Sequence, residues 1–555
     1  MHSAGVDPDD AARAQRAKLR VGVLLDAGDP PAWIAEIIRE VQASEVAHIV
    51  AVIRRGDPRP PARESIGPRV LRGVYDAFDA RVFELARDPF APVPVAELLA
   101  DAQVIVVRGG IAGALAELEA LRLDVALELG FGALDGALAI ARFGVWSYQH
   151  GDEHASLGGP AGFSEVLTHA PVTTAALHRV TTDGRRVLYQ SWSSTDPRSV
   201  RRNRALTYWK SSAFALRALR ELFEGGPAAF DHGPPATLIS AAAPSGARVA
   251  AGLARFGTSV VRERMQRLLT RKQWLLAYGI DRTLRGAVPS QALAAMTWIV
   301  PPRDRIWADP FVARHGDGWV VVFEEKLYTE RNARISAFEI DRNGVVGEPY
   351  PVLERDYHLS YPFLFEWNSA WWMVPESSRN QTIELWRATD FPRRWTLERT
   401  LIADIRAVDA TLFEHAGRWW MFCNVGEAGA SKDDELHLFH AATPLGPWTP
   451  HPRNPIKSDV RGARPAGRPF WTEGAWYRPA QDSSAGYGSS LVLQRIDRLD
   501  ERGYAETEHA RLAPSFAPGL IGLHTINAAD GLTVIDLRLE RPRLALLDRL
   551  QLTRR

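Results

Sequence analysis

Two aspartates, Asp309 and Asp409, stand one hundred positions apart, each a short step ahead of a phenylalanine: Asp309-Pro310-Phe311 and Asp409-Ala410-Thr411-Leu412-Phe413. Between them Glu376 ends the segment Trp371-Trp372-Met373-Val374-Pro375-Glu376. Carboxyl groups set apart by environment can share acid–base work on a glycosidic bond. One stays ionised and takes a proton, while another keeps its proton and gives it to the leaving oxygen. An isolated Asp-Pro is ordinarily a turn starter, but a turn does not explain two aspartates at matching places. Arg464, Arg478 and His524 would add positive charge beside them. A guanidinium fork binds a phosphate or a sugar carboxylate through two hydrogen bonds, and it can equally serve to neutralise nearby carboxylates.

A repeat positions these residues. Ala308-Asp309-Pro310-Phe311 leads through a turn at His315–Gly318 into Trp319–Glu324; Ser360-Tyr361-Pro362-Phe363 leads through Asn368 into Trp371–Glu376. Val408–Phe413 runs through Gly417 into Trp419–Phe422, and Ala466–Phe470 through Gly474 into Trp476–Pro479. A weaker fifth unit joins Leu523-His524-Thr525 to Leu532–Asp536 through Asp530-Gly531. A spacing of about fifty residues suits a four-stranded blade with its loops. The predicted fold of residues 273–545 is therefore an all-β five-bladed propeller. The innermost strand of each blade lines the axis, so Asp309 and Asp409 are expected to meet in one channel. Of the 18 Trp, 14 lie from Trp274 onward, as short aromatic strands require. In the pairs Trp371-Trp372 and Trp419-Trp420 adjacent residues face opposite sides, so most of these rings are expected in the core.

At these residues the chain resembles the propellers of glycoside hydrolase family 43 and, more closely, the N-terminal propeller of plant glucosamine inositolphosphorylceramide transferases. The similarity runs from about Trp298 to Glu540 and is carried by Ala308–Phe311, Tyr361–Phe363, Val374–Glu376, Asn454–Ile456, Arg464–Gly467 and Arg478–Asp482. It implies a general base at Asp309 and a modulating carboxyl at Asp409. The place of that family's acid glutamate holds Arg464-Pro465-Ala466-Gly467, a departure that leaves the acid to Glu376, Glu325 or Asp482. Glu325, Arg464, Arg478, Gln481, Asp482 and His524 form the expected substrate-binding set. Phosphorolysis or transfer from a phosphorylated donor stands beside hydrolysis.

The first half has another period. Leu19–Leu25, His48–Ile53, Ala102–Val107 and Phe143–Tyr148 read as buried strands with amphipathic stretches such as Ala32–Val41 between them, a βαβ succession that predicts a mostly parallel sheet. The turn Asp26–Pro31 lacks the glycine spacing of a dinucleotide site. Residues from about Leu123 to Ser194 resemble folate-dependent formyltransferases through Phe143–Asp152, Gly158–Phe163 and Thr181–Gly184. The resemblance implies an α/β, Rossmann-type domain over residues 19–224. It also implies a formyl-tetrahydrofolate cofactor and catalytic roles for His150 and Asp183, with Tyr148 where that family has asparagine. A decayed site, with His150 a satisfied buried histidine, is the alternative. Arg201–Lys210 is basic with two aromatics and is expected as solvated surface rather than as a cover for phosphate.

Residues 1–18 are expected to be disordered, 225–272 to form a Gly/Pro/Ala-rich linker and a basic amphipathic helix near Thr258–Lys272, and 546–555 a tail. Such a helix can lie on a membrane, though packing between domains is the simpler expectation. With Lys+Arg 67 against Asp+Glu 66 no global field favours nucleic acid. The single Cys423 excludes an internal disulfide or a cysteine-based zinc site; metal binding by His, Asp and Glu stays open, and no metal ligand is singled out. No stretch reaches the roughly 18 apolar residues of a membrane span, and Met1–Arg20 lacks an apolar run, which together predict a cytoplasmic protein without stable membrane insertion. The leading expectation is a carbohydrate-active enzyme acting on a glycan or sugar phosphate. The rivals are a formyltransferase for an amino sugar with the propeller as its recognition module, and a non-catalytic glycan-binding scaffold.

Overall fold

The computed structural model describes residues 17–57, 66–98, 102–108, 111–132, 137–151, 160–227, 246–280, 290–426 and 431–544. The N-terminal segment to residue 16, most of the linker expected at 225–246, Asp152 with Gly158-Gly159, and the tail beyond 545 lie outside them. Two compact units are present, one within residues 17–256 and one mainly within 257–544.

In the first unit, aliphatic runs form the strands β1 Leu19–Leu25, β2 Ala47–Arg55, β3 Gln103–Val107, β4 Val125–Leu129 and β5 Val145–His150, with β1 and β4 the most completely buried and the edge strand β3 exposing Val104 and Val106. They are parallel in the order β3-β2-β1-β4-β5. β6, Val172–Thr181, runs antiparallel to β5, and β7, Gly184–Ser194, completes the seven-stranded sheet. Helix α1, Ala32–Ala43, buries Trp33, Ile34, Ile37, Ile38 and Val41, spaced three and four apart as one helical face demands. α2 spans Ile66–Val82, α3 Leu115–Ala120, α4 Phe163–Thr168, α5 Val200–Ser212, α6 Phe214–Gly225 and α7 Gly246–Leu269. The basic run at 201–210 is the body of α5, which buries Asn203, Thr207, Trp209 and Lys210; it is not simply the solvated surface expected.

The second unit is a five-bladed propeller. Blade one comprises β10 Arg305–His315, β11 Gly318–Leu327, β12 Arg334–Ile340 and β13 Tyr350–Leu353. Blade two comprises β14 Ser360–Trp367, β15 Ala370–Ser377, β16 Thr382–Asp390 and β17 Arg394–Ala403. Blade three runs β18 Ala407–His415, β19 Arg418–Val425 and β20 Glu435–Ala441, with short strands β21 Thr449–Pro450 and β22 Lys457–Ser458 on β20. Blade four holds β23 Phe470–Thr472, β24 Ala475–Asp482, β25 Ser490–Asp500 and β26 Gly503–Leu512. Blade five takes β27 Leu520–Gly522, β28 Ile526–Ala529 and β29 Leu532–Pro542 from the end of the chain and closes them on β8, Thr270–Ile280, and β9, Thr297–Ile299. β29 and β8 pair without a break from Leu532↔Ile280 to Pro542↔Thr270.

The innermost strands share a device that the repeat only hinted at. Ladder register breaks between Ala308 and Phe311, Ser360 and Phe363, and Val408 and Thr411. Within each break one residue has a left-handed backbone: Asp309 at φ 51°, Tyr361 at 42° and Asp409 at 55°. In blade four Gly467 stands just ahead of the inner strand at φ 135°. For residues other than glycine such a conformation costs about 1–3 kcal/mol and persists only where the surroundings enforce it. The bulges turn these side chains out of the ladder and toward neighbouring blades. Tyr361 Oη lies 2.9 Å from Thr411 Oγ1 and accepts the Gly467 N–H at 2.7 Å.

Candidate functional site

A cavity of about 260 Å³ opens where the innermost strands converge, lined among others by Asp309, Glu324, Glu376, Arg464, Tyr487, His524 and Trp274. It is smaller than the roughly 300–1,000 Å³ typical of drug-sized ligands.

Asp309 Oδ1 accepts the Thr525 hydroxyl at 2.6 Å, and Oδ2 accepts the Tyr361 N–H at 3.3 Å. His524 Nε2 lies 3.8 Å away. Behind it Asp536 accepts the backbone N–H groups of Asp309, His524 and Thr525, each at 2.9 Å, and bonds His524 Nδ1. Burial alone would lower the His524 pKa, but the Asp536 and Asp309 carboxylates outweigh it and hold the imidazole above its ordinary value. Asp309, His524 and Asp536 also form a compact, buried group of a kind able to hold a metal ion.

Of the neighbouring Glu324 and Glu325, the cavity takes the one the sequence did not single out. Register pairs Ala308 with Glu324 and Trp307 with Glu325, so the two glutamates face opposite sides of β11. Glu324 faces the cavity. Glu325 turns away and is held by Arg305 at 2.9 Å, Arg334 at 2.9 Å, Trp307 at 3.2 Å and Ser336 at 2.9 Å. Burial, then the charges of Asp309 and Glu376, push the Glu324 carboxyl well above its usual range. His358 Nε2 lies 3.5 Å from it, but burial lowers the pKa of that imidazole. Asp309 is also raised, burial being the largest cause, but it has donors on both oxygens. Of two neighbouring carboxyls that cannot both ionise easily, the one with fewer donors retains the proton. That one is Glu324.

Glu376 lines the same cavity and accepts Ser378 Oγ at 2.7 Å and Ser360 Oγ at 3.2 Å. Asp409 sits behind Arg464 rather than in the lining. The Arg464 guanidinium donates to Asp409 at 2.6 and 3.3 Å and to Asp433 at 2.7 Å, with Glu376 at 3.7 Å. Burial, only partly offset by Arg464, raises the Asp409 pKa to about 7. Gln481 donates to Asp409 at 3.3 Å. Asp309 thus lines the cavity, whereas Asp409, expected to meet it in one channel, is separated from the lining by Arg464.

Arg478 and Asp482 do not join the site. Both lie on the face of β24 opposite Gln481, since alternate residues of a strand point to opposite sides. Arg478 is spent on Glu506 at 2.7 and 3.0 Å and on the Gly462 and Ala463 carbonyls, and Asp482 on Arg511. Several lining residues, Lys326 and His358 among them, were missed in the sequence. Glu324 was legible from strand alternation, whereas Trp274, stacked 4.0 Å from His524, and Tyr487, its ring 4.8 Å from the Arg464 guanidinium carbon, gave no signal beyond their type.

The formyltransferase-like residues are not assembled. His150 bonds Ser211 Oγ at 2.7 Å and stacks on Tyr208 at 3.8 Å. Burial, aided by Arg204, lowers its pKa to about 3 and keeps it neutral. Tyr148 accepts the Ala215 N–H at 3.0 Å. Asp183 is exposed at the β6–β7 turn, beyond the Val145↔Val180 end of a register whose other end is His150↔Ala175. Some eight residues of strand, roughly 25 Å, therefore separate Asp183 from His150.

The strand order defines a five-bladed β-propeller with an acidic axial cavity. Residues 293–515 match the family model described as glucosamine inositolphosphorylceramide transferase 1, N-terminal. Among curated proteins, glucosamine inositolphosphorylceramide transferase 1 of Oryza sativa subsp. japonica is 38% identical over 203 residues, 36% of this chain and 27% of that protein. The Arabidopsis thaliana protein of that name is 35% identical over 205 residues, again 36% and 27%. The chain thus matches about a quarter of the length of these relatives. Among solved structures, Zg3597, a family 117 glycoside hydrolase of Zobellia galactanivorans, aligns at 13% identity over 49% of this chain and 90% of that one, TM-score 0.32. RS223-β-xylosidase aligns at 14% identity over 43% and 84%, TM-score 0.33.

Proposed function

We propose that the propeller is a carbohydrate-active enzyme that holds a sugar or sugar phosphate in the axial cavity and makes or breaks a glycosidic bond there by acid–base chemistry. Asp309 is the ionised group that takes the proton of the incoming hydroxyl or water. Glu324 is the protonated group that gives its proton to the departing oxygen, with Glu376 as the neighbouring carboxylate. The observation that carries this reading is the placement of Asp309 and Glu324 in one lining with unequal hydrogen-bond support. The matched residues 293–515 include Asp309, Glu324, Glu376 and Arg464, and the relatives' name joins glucosamine to an inositolphosphorylceramide. That supports transfer over simple cleavage and a ligand bearing a phosphoryl group, for which Lys326 and Arg464 supply positive charge in the lining.

For the first unit we infer a formyltransferase-type fold, supported by its doubly wound sheet order and the Phe143–Gly151 similarity. It serves without formyl transfer, since His150 and Asp183 stand apart.

The test is turnover of a panel of glycosides, nucleotide sugars and sugar phosphates by wild type, D309N and E324Q. Each substitution is expected to lower the rate by on the order of 10²–10⁴, the contribution of a positioned acid or base. A D309N protein as active as wild type ends the proposal.

A further inference from the structure

Helix α7 carries arginines at 248, 255, 262, 264 and 267 and a single acidic residue, Glu263. Its N-terminal half buries Val249, Gly252 and Phe256 in a cluster with Tyr75 and Phe163, the Tyr75 and Phe256 rings 5.5 Å apart. At about 100° per residue these buried positions share one face. Leu253 and Val260 lie beside that face, but the other large apolar side chains do not. Val261, Met265, Leu268 and Leu269 fall within roughly 100° of arc on the other side, and Ala250, Ala254 and Gly257 extend that arc back along the helix. Val261 is 64% exposed, Met265 50%, Leu268 64% and Leu269 62%.

The charges are arranged around this stripe. Arg248, Arg255 and Arg262 follow one another at seven-residue intervals along one border, and Arg264 flanks the other. All four are exposed. Glu263 projects from the opposite pole, where it pairs with Arg267. An apolar stripe bordered by arginines with the one acid turned away is the pattern of a helix lying in the plane of an anionic lipid surface. A second copy of the chain would bring like charge against like charge, which disfavours self-association through this face. Among the described residues no helix is long and apolar enough to cross a membrane.

We propose that α7 is a surface anchor that lays the Val261, Met265, Leu268 and Leu269 stripe among the headgroups of an anionic bilayer. The test is co-sedimentation of the full chain with vesicles of phosphatidylcholine alone or mixed with phosphatidylglycerol. Wild type is expected to sediment with the mixed vesicles, to stay in solution with the neutral ones and to be released as salt is raised. M265E/L268E and R262E/R264E are each expected to lower partitioning roughly tenfold or more, with unchanged thermal unfolding because all four side chains are exposed. Three results overturn the proposal: equal partitioning to both vesicle types or to neither, variants that bind like wild type, or a dimer in analytical ultracentrifugation that M265E/L268E abolishes.

Discussion

Glu324 and Glu325 are neighbours in the chain and opposites in environment. One faces a cavity with little to neutralise it; the other is clamped by Arg305 and Arg334. Their substitutions should therefore separate cleanly. E324Q is expected to remove turnover while leaving the unfolding midpoint near wild type, because it replaces a carboxyl already protonated. E325Q is expected to keep catalysis and to lower stability by about 3–5 kcal/mol, the usual effect of breaking a buried ion pair, as urea unfolding would register. The pH profile carries a sign as well. An acid that works only when protonated loses activity as pH rises through its raised pKa, so turnover should fall on the alkaline side, and a rate that keeps climbing there counts against Glu324. The aspartates were legible because the repeat put them at equivalent places. Strand parity separates Glu324 from Glu325, since adjacent residues of β11 face opposite sides. Asp183 misled because sequence similarity does not reveal the length of a hairpin.

At the scale of the element, the bulged inner strands and the outer ladders do different work. Gly467 has φ 135°, and a Cβ there would meet the Ile526 carbonyl oxygen at 2.0 Å. G467A should destabilise the propeller by more than the ~1 kcal/mol of an ordinary glycine replacement, visible as a lowered thermal midpoint. On the outer part of blade four, burial would raise the Glu506 pKa, but Arg478 and Lys457 bring it down to about 2. A carboxylate depressed from about 4.3 when unfolded stabilises the fold above that pH and loses its contribution as pH falls toward 2, roughly 3 kcal/mol in all. E506Q should therefore flatten the acid limb of the stability curve between those values, as denaturant titrations at several pH values would show. The blades themselves could be read from Trp-rich hairpins and their spacing. Left-handed residues such as Asp309 and Tyr361 could not, since nothing in an Asp-Pro or Tyr-Pro pair announces a bulge.

At the scale of the molecule, the propeller is held shut by strands from both ends of its sequence. The family match stops at residue 515 and begins at 293, so it omits β8, β28 and β29, and with them Trp274, His524 and Asp536. A fragment cut to 290–515 is expected to lose cooperative unfolding in calorimetry, whereas 257–544 should retain it; a sharp transition in the shorter piece would contradict ring closure as the stabilising contact. The same arrangement has a consequence for synthesis. β8 leaves the ribosome roughly 250 residues before its partner β29, a wait of about 12–50 s at typical elongation rates. Through that interval Trp274 and Leu275 lack their partner strand, and Leu276 and Tyr278 have only the three-residue β9 beside them. A nascent chain in this state is a natural client for a holding chaperone, and slowing translation near the 3′ end of the message should lower the yield of soluble protein.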